Sequence, residues 1–94
     1  MSPRETAQNE LVDWLETTSG KWTAPYGILP GLEDLPKGGK VRTITFGMAR
    51  WLDATIYIWS PTKFTFRAAG PRAYGLDGVT CKSVDEVIEV LTKL

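Results

Sequence analysis

The chain contains no histidine and a single cysteine, Cys81, among its 94 residues. Without histidine it lacks the side chain most used as a general base and as a neutral metal ligand. One cysteine allows no disulfide within the chain, which fits a reducing compartment. Nor is there a continuous apolar run of the roughly 18 residues that a membrane-spanning helix needs. The opening Met1-Ser2-Pro3-Arg4-Glu5-Thr6 carries no apolar signal core. Together these absences predict a cytoplasmic protein with no membrane association, no cofactor and no metal site. Low-complexity tracts and blocks of like charge are missing too, so disorder throughout is not expected. At 94 residues the chain can build one core and is too short for two domains.

Groups able to do chemistry are few. Cys81 would act as a nucleophile only beside a base, and its place just before a predicted helix suits a small buried residue better. Glu33 and Asp34 lie in a loop, while Asp53 and Asp77 are isolated among basic residues and are expected to pair with arginines such as Arg50 or Arg72. Lys37-Gly38-Gly39-Lys40 invites comparison with a phosphate-binding loop. That motif needs a glycine five residues before the Gly-Lys pair and a Ser or Thr after it, where this chain has Asp34 and Val41. A flexible turn accounts for the glycines instead, and no catalytic function is expected.

What the chain does have is sorted charge. Residues 36–82 hold eight Lys or Arg against Asp53 and Asp77, a formal +6, although the whole chain is neutral. Residues 1–35, with two basic residues and six acids, sum to −4, and residues 83–94, with one and three, to −2. The basic stretch also carries Trp51, Tyr57, Trp59, Phe64, Phe66 and Tyr74, which makes it a candidate surface for an anionic partner.

Hydrophobic spacing places these residues on elements. Ser2-Pro3-Arg4-Glu5 has the form of a helix start, and Ala7, Leu11, Trp14 and Leu15 recur at 3.6-residue spacing, which predicts a helix over 3–18 ended by Gly20. Ser83-Val84-Asp85-Glu86 repeats the pattern for a helix over 83–94, with Val84, Val87, Ile88, Leu91 and Leu94 buried. Between them the period falls to two, predicting strands at about 41–49, 54–60 and 63–69 joined by turns at 50–53 and 60–63. The expected fold is α+β in the order αβββα: a three-stranded antiparallel meander with both helices on one face. Ile44, Phe46, Met48, Ile56, Ile58, Phe64 and Phe66 would face the helices; Thr43, Thr45, Tyr57, Trp59, Thr65 and Arg67 would face water. Residues 21–40 show neither period and read as an irregular Pro/Gly-rich loop, with a short strand near 21–24 as an option. Trp22, Tyr26, Ile28, Leu29, Leu32 and Leu35 make it an apolar cover for the sheet or, second, a binding loop.

Double-stranded-RNA-binding domains share the αβββα order, but they begin their last helix with a lysine cluster where this chain has Ser83-Val84-Asp85-Glu86. No membership follows from order alone. The expected function is binding through the outer sheet face and its loops by Arg42, Arg50, Tyr57, Trp59, Lys63, Arg67, Arg72 and Tyr74. Nucleic acid is the first expectation, because charge and aromatics coincide in one segment. A protein adaptor or inhibitor using the same Tyr, Trp and Arg patch is the alternative.

Overall fold

In a computed structural model, residues 2–18, 22, 27–48 and 50–94 are described. The elements run α1 (Pro3–Thr17), β1 (Leu29–Asp34), β2 (Lys40–Gly47), β3 (Asp53–Ser60), β4 (Lys63–Ala69), β5 (Thr80–Cys81) and α2 (Val84–Thr92). The strands form one antiparallel meander in the order β1-β2-β3-β4-β5. The order is therefore αβββββα, with five strands where the spacing predicts three.

Both helix starts follow their sequences. Ser2 Oγ accepts the Glu5 N–H at 3.1 Å and Ser83 Oγ accepts that of Glu86 at 3.1 Å, each satisfying a donor that the helix cannot. The Glu86 carboxylate in turn accepts the Lys82 N–H. At the far end of α1 the cap is Thr18, whose N–H reaches the Trp14 carbonyl at 3.1 Å; Gly20, the expected stop, lies outside the described residues.

Alternation along β2, β3 and β4 sorts the sheet into two faces. Ile44, Ile56 and Phe66 stand in register across the three strands, as do Phe46, Ala54 and Ala68, and Ile58 stands opposite Phe64. All of these but the half-buried Ala68, which packs against the rest, join Leu11 and Leu15 of α1 and Val87 and Leu91 of α2 in one buried cluster. Met48 packs at its margin. Helix α1 lies across β2 and β3, and α2 packs against β5 and α1.

Two parts of the sheet depart from the expected meander. The first is β1, whose residues the spacing assigns to an irregular loop because Pro30 and Gly31 are poor strand formers. It is an edge strand, and there both are tolerable. The Leu35 N–H to Gly39 carbonyl bond, 3.0 Å, sets the hairpin phase, so odd-numbered residues of β1 bond toward β2 and the missing N–H of Pro30 falls on the open edge. Gly31 is needed for close approach: a Cβ there would stand 2.8 Å from Thr43 Oγ1. The second is the opposite edge. Phe66 exchanges bonds with Val79 and Gly78 at 2.9 Å, and the Asp77 carboxylate accepts the Ala68 N–H at 2.8 Å. Residues 77–81 thus cover β4, although only Thr80 and Cys81 form a strand. The optional strand near 21–24 lies outside the described residues apart from Trp22.

A polar clamp ties β1 and β2 to α1. Gln8, buried in the helix stripe, donates its Nε2 to the carbonyls of Gly31 and Thr43, each at 2.9 Å, and its Oε1 accepts Arg42 Nη1 at 3.1 Å. Arg42 also pairs with Glu5 at 3.6 Å, and Arg4 Nη1 reaches the Lys40 carbonyl at 2.8 Å. Among the described residues no buried side-chain N or O lacks a hydrogen-bond partner, as a stable interior requires.

Two stability measurements check this core. Phe66→Ala is expected to cost about 3 to 5 kcal/mol in urea unfolding; a loss under roughly 1 kcal/mol would place the ring at the surface. Gln8→Leu keeps volume but removes the acceptor of Arg42, and is expected to cost about 1 to 3 kcal/mol. An unchanged midpoint would mean the clamp contributes nothing.

Candidate binding surfaces

The eight residues singled out from the sequence fall into three places. Arg42 is on the helix side of the sheet, opposite Ile58 in register and engaged with Glu5 and Gln8. Its alternation with Val41 and Thr43 allows no other side. Tyr57, Trp59, Lys63 and Arg67 occupy the water-facing side of β3 and β4. Arg50, Arg72 and Tyr74 are on loops at one end of the sheet.

On the water-facing side, Tyr57 and Trp59 stack with centroids 6.0 Å apart and an interplanar angle of 20°. A register shift between Ile58 and Ser60 makes Trp59 the extra residue of a bulge, which re-aims its side chain. Trp59 Nε1 donates to Thr65 Oγ1 at 2.9 Å, so the indole is held across β4 with 37% of the residue exposed. One further step of the β2–β3 register sets Val41 opposite Trp59. Val41 and Thr43 belong to this face by parity, yet both are buried, contrary to the expectation for Thr43. Around the pair the face is lined by hydroxyls: Thr45 is exposed, and Thr55 and Thr65 are half-buried. Its charges balance, with Lys63 and Arg67 on β4 against Glu33 on β1 and Asp53 on β3. Beside Arg67, a shallow hollow is lined by Thr45, Asp53, Thr55 and Asp77.

With the described part of residues 21–40 in place, Trp59 remains exposed. Trp22 is buried, edge-on to Phe46 at 5.2 Å and 6.4 Å from Trp14, which answers the cover expectation for that residue. Leu29 and Leu32 are exposed on β1, and Tyr26 lies outside the described residues.

At the end of the sheet, Trp51 is 46% exposed and the Arg50 guanidinium lies 5.4 Å from its ring centroid, within cation–π range. The Arg72 N–H donates to the Trp51 carbonyl at 2.8 Å. Gly70, at φ +105°, presses against the same carbonyl; a Cβ would stand 2.8 Å from that oxygen. The two loops are thereby joined. Trp51 is named among the aromatics of the basic stretch but not among the expected site residues, because it lies in a turn where no period assigns it a face. A tryptophan in a short turn between strands is nonetheless a costly residue to leave in water.

The aspartates do not pair as expected. Among the described residues, ion pairs join Lys40 to Asp34, Arg42 to Glu5 and Lys93 to Glu89; Asp53 is in none, and Asp77 serves the Ala68 N–H. Cys81 is buried, and burial, then Glu86 and Glu89, push its thiol up from the ordinary range. It is held as the protonated, poorly nucleophilic form. No group of three or more His, Cys, Asp or Glu is placed to hold a metal ion, and no helix is long and apolar enough to cross a membrane, among the described residues.

No protein-family model, curated protein or solved structure matches the chain.

If Gly70 is needed for the contact between the two loops, Gly70→Ala must force a side chain into both a positive φ and the Trp51 carbonyl. Thermal unfolding should register a loss of about 1 to 3 kcal/mol; a loss below roughly 0.5 kcal/mol would show that the loops are not locked there.

Proposed function

We propose that the protein is a non-catalytic binding module that takes a protein partner on the water-facing side of its sheet. The observation that carries this is the stacked Tyr57–Trp59 pair, half open to water on a face whose lysine, arginine, glutamate and aspartate cancel. Tyr, Trp and Arg are enriched at the hot spots of protein interfaces, and such a patch depletes charge at its centre and keeps polar groups at its rim. Here the threonine hydroxyls and the Lys63, Arg67, Glu33 and Asp53 charges surround the rings. Trp59 is already oriented by Thr65, so little rotamer freedom remains to be lost on association. Catalysis is left out because the chain has no histidine and its one thiol is buried with a raised pKa.

Nucleic acid is the second reading, favoured by Lys63 and Arg67 flanking the aromatic pair and by exposed Arg50, Trp51 and Arg72 beyond them. It is weaker because Arg42 is turned away and neutralised and because Glu33 and Asp53 would face phosphate.

Two experiments separate these readings. With a photo-crosslinking residue at Thr45, a discrete protein should be trapped, and Trp59→Ala should weaken its binding about thirtyfold, the roughly 2 kcal/mol of a hot spot. Titration with mixed-sequence single- and double-stranded DNA and RNA should stay flat at moderate ionic strength. Binding that falls on a log–log salt plot with a slope near −0.7 to −0.9 per contact, and grows shallower in Arg67→Ala, would replace the protein partner with nucleic acid.

A further inference from the structure

We propose that the end of the sheet built by residues 50–52 and 70–78 is a second contact, one that takes an acidic segment of a protein partner. It rests on the preceding conclusion that the partner is a protein, and it concerns a different set of residues.

Tyr74 is 98% exposed, while its neighbours Ala73 and Leu76 are buried in the core. The backbone between them is not loose. Ala73 N–H bonds the Gly70 carbonyl at 3.0 Å, Leu76 N–H and Asp77 N–H both reach the Ala73 carbonyl, at 3.0 and 3.2 Å, and Val79 N–H reaches that of Leu76 at 3.1 Å. Two buried anchors and this run of turns hold Tyr74 away from the domain, where it contributes nothing to the core. Its loop is joined to the neighbouring one through Arg72, Gly70 and the Trp51 carbonyl. The joined backbone carries Arg50, Trp51 and Arg72 together, and Tyr74 stands further along the second loop beside Val90 and Leu94 of the α2 end. A pre-ordered backbone costs little further ordering on binding, and Arg, Trp and Tyr are the three residue types most enriched at hot spots.

Charge names the occupant. Arg50, Arg72 and the nearby Arg67 enter none of the ion pairs among the described residues. Of the acids on or beside the sheet here, Asp77 spends an oxygen on the Ala68 N–H, and Asp53 stands on the sheet opposite Ala69. The two loop arginines are exposed, Arg50 with its guanidinium against the Trp51 ring, and carboxylates suit their forks in a bidentate geometry. A phosphate backbone suits the site less well. It would lie along Asp53 and Asp77 as well as the arginines, whereas an acidic side chain reaches the arginines singly and leaves its apolar neighbours to Trp51.

The test uses fluorescein-labelled decaglutamate as the probe and a dT oligonucleotide of equal length as the comparator, read by anisotropy at low salt. Decaglutamate should bind, should weaken as salt rises, and should lose about tenfold in affinity in the Arg50→Gln/Arg72→Gln variant; Arg50→Lys/Arg72→Lys should recover only part of that loss, because the forks are gone. Lys37→Gln/Lys40→Gln, at the opposite end, should change it less than twofold. Trp59→Ala separates the two surfaces: an unchanged affinity keeps this contact apart from the sheet face, and an equal loss would merge them and overturn it as a site of its own. The proposal also fails if decaglutamate does not bind, if it binds the Arg50→Gln/Arg72→Gln variant undiminished, or if the dT strand binds more tightly and is lost with the same arginines.

Discussion

Burial of one side of the sheet in a core completed by residues of both helices is the constraint on which the other features depend. Because side chains alternate along a strand, packing Ile44, Phe46, Ile56, Ile58, Phe64 and Phe66 against Leu11, Leu15, Val87 and Leu91 fixes what the other side must carry. Tyr57 and Trp59 cannot be withdrawn from water without slipping the register and exposing Ile56 and Ile58. Within that limit the fold moderates their exposure: the rings stack, the indole N–H finds Thr65, and Val41 is buried opposite Trp59. The remaining exposed ring area is what a partner can use.

The same constraint redistributes charge. A formal +6 over residues 36–82 is a property of the chain, and it becomes a property of a surface only where those residues converge. Arg50 and Arg72 share the loop end, and the others disperse. Arg42 shares the parity of the core residues and is drawn to Glu5 and Gln8; Lys40 pairs with Asp34; Lys63 and Arg67 share their face with Glu33 and Asp53. Coulombic attraction for a polyanion is therefore divided over both ends and both sides of the domain, and screening over about 10 Å at ordinary ionic strength keeps the parts from acting together. This division moves the balance from nucleic acid toward a protein, whose recognition draws on aromatic area more than on summed charge.

Periodicity and capping residues make much of the fold legible in the chain itself. Both helix starts, the three long strands, the parity of the core residues and the solvent side of Tyr57 and Trp59 follow from them. β1 is hidden because Pro30 and Gly31 disqualify a central strand, and nothing local tells a chain that it will lie on an edge. β5 is hidden because two residues have no period, and because Asp77 supplies to β4 a bond that a strand would have supplied. Gln8 reads as an ordinary polar residue of α1; its role depends on two carbonyls that lie 23 and 35 positions away. The candidate site is legible in its residue types but not in its grouping. Arg50 and Arg72 belong with Trp51, apart from Tyr57 and Trp59, and only the contact between two loops around Gly70 reveals it.

Aromatic side chains stand open to solvent at the sheet face and at the loop end while the core keeps its own, and the four indole N–H resonances report this directly. In an NMR titration with a soluble, uncharged paramagnetic agent, the Trp51 and Trp59 signals should broaden strongly, Trp14 should be intermediate and Trp22 should be nearly unaffected. A Trp59 signal as protected as that of Trp22 would mean that the sheet face is covered, and would contradict a binding role for it.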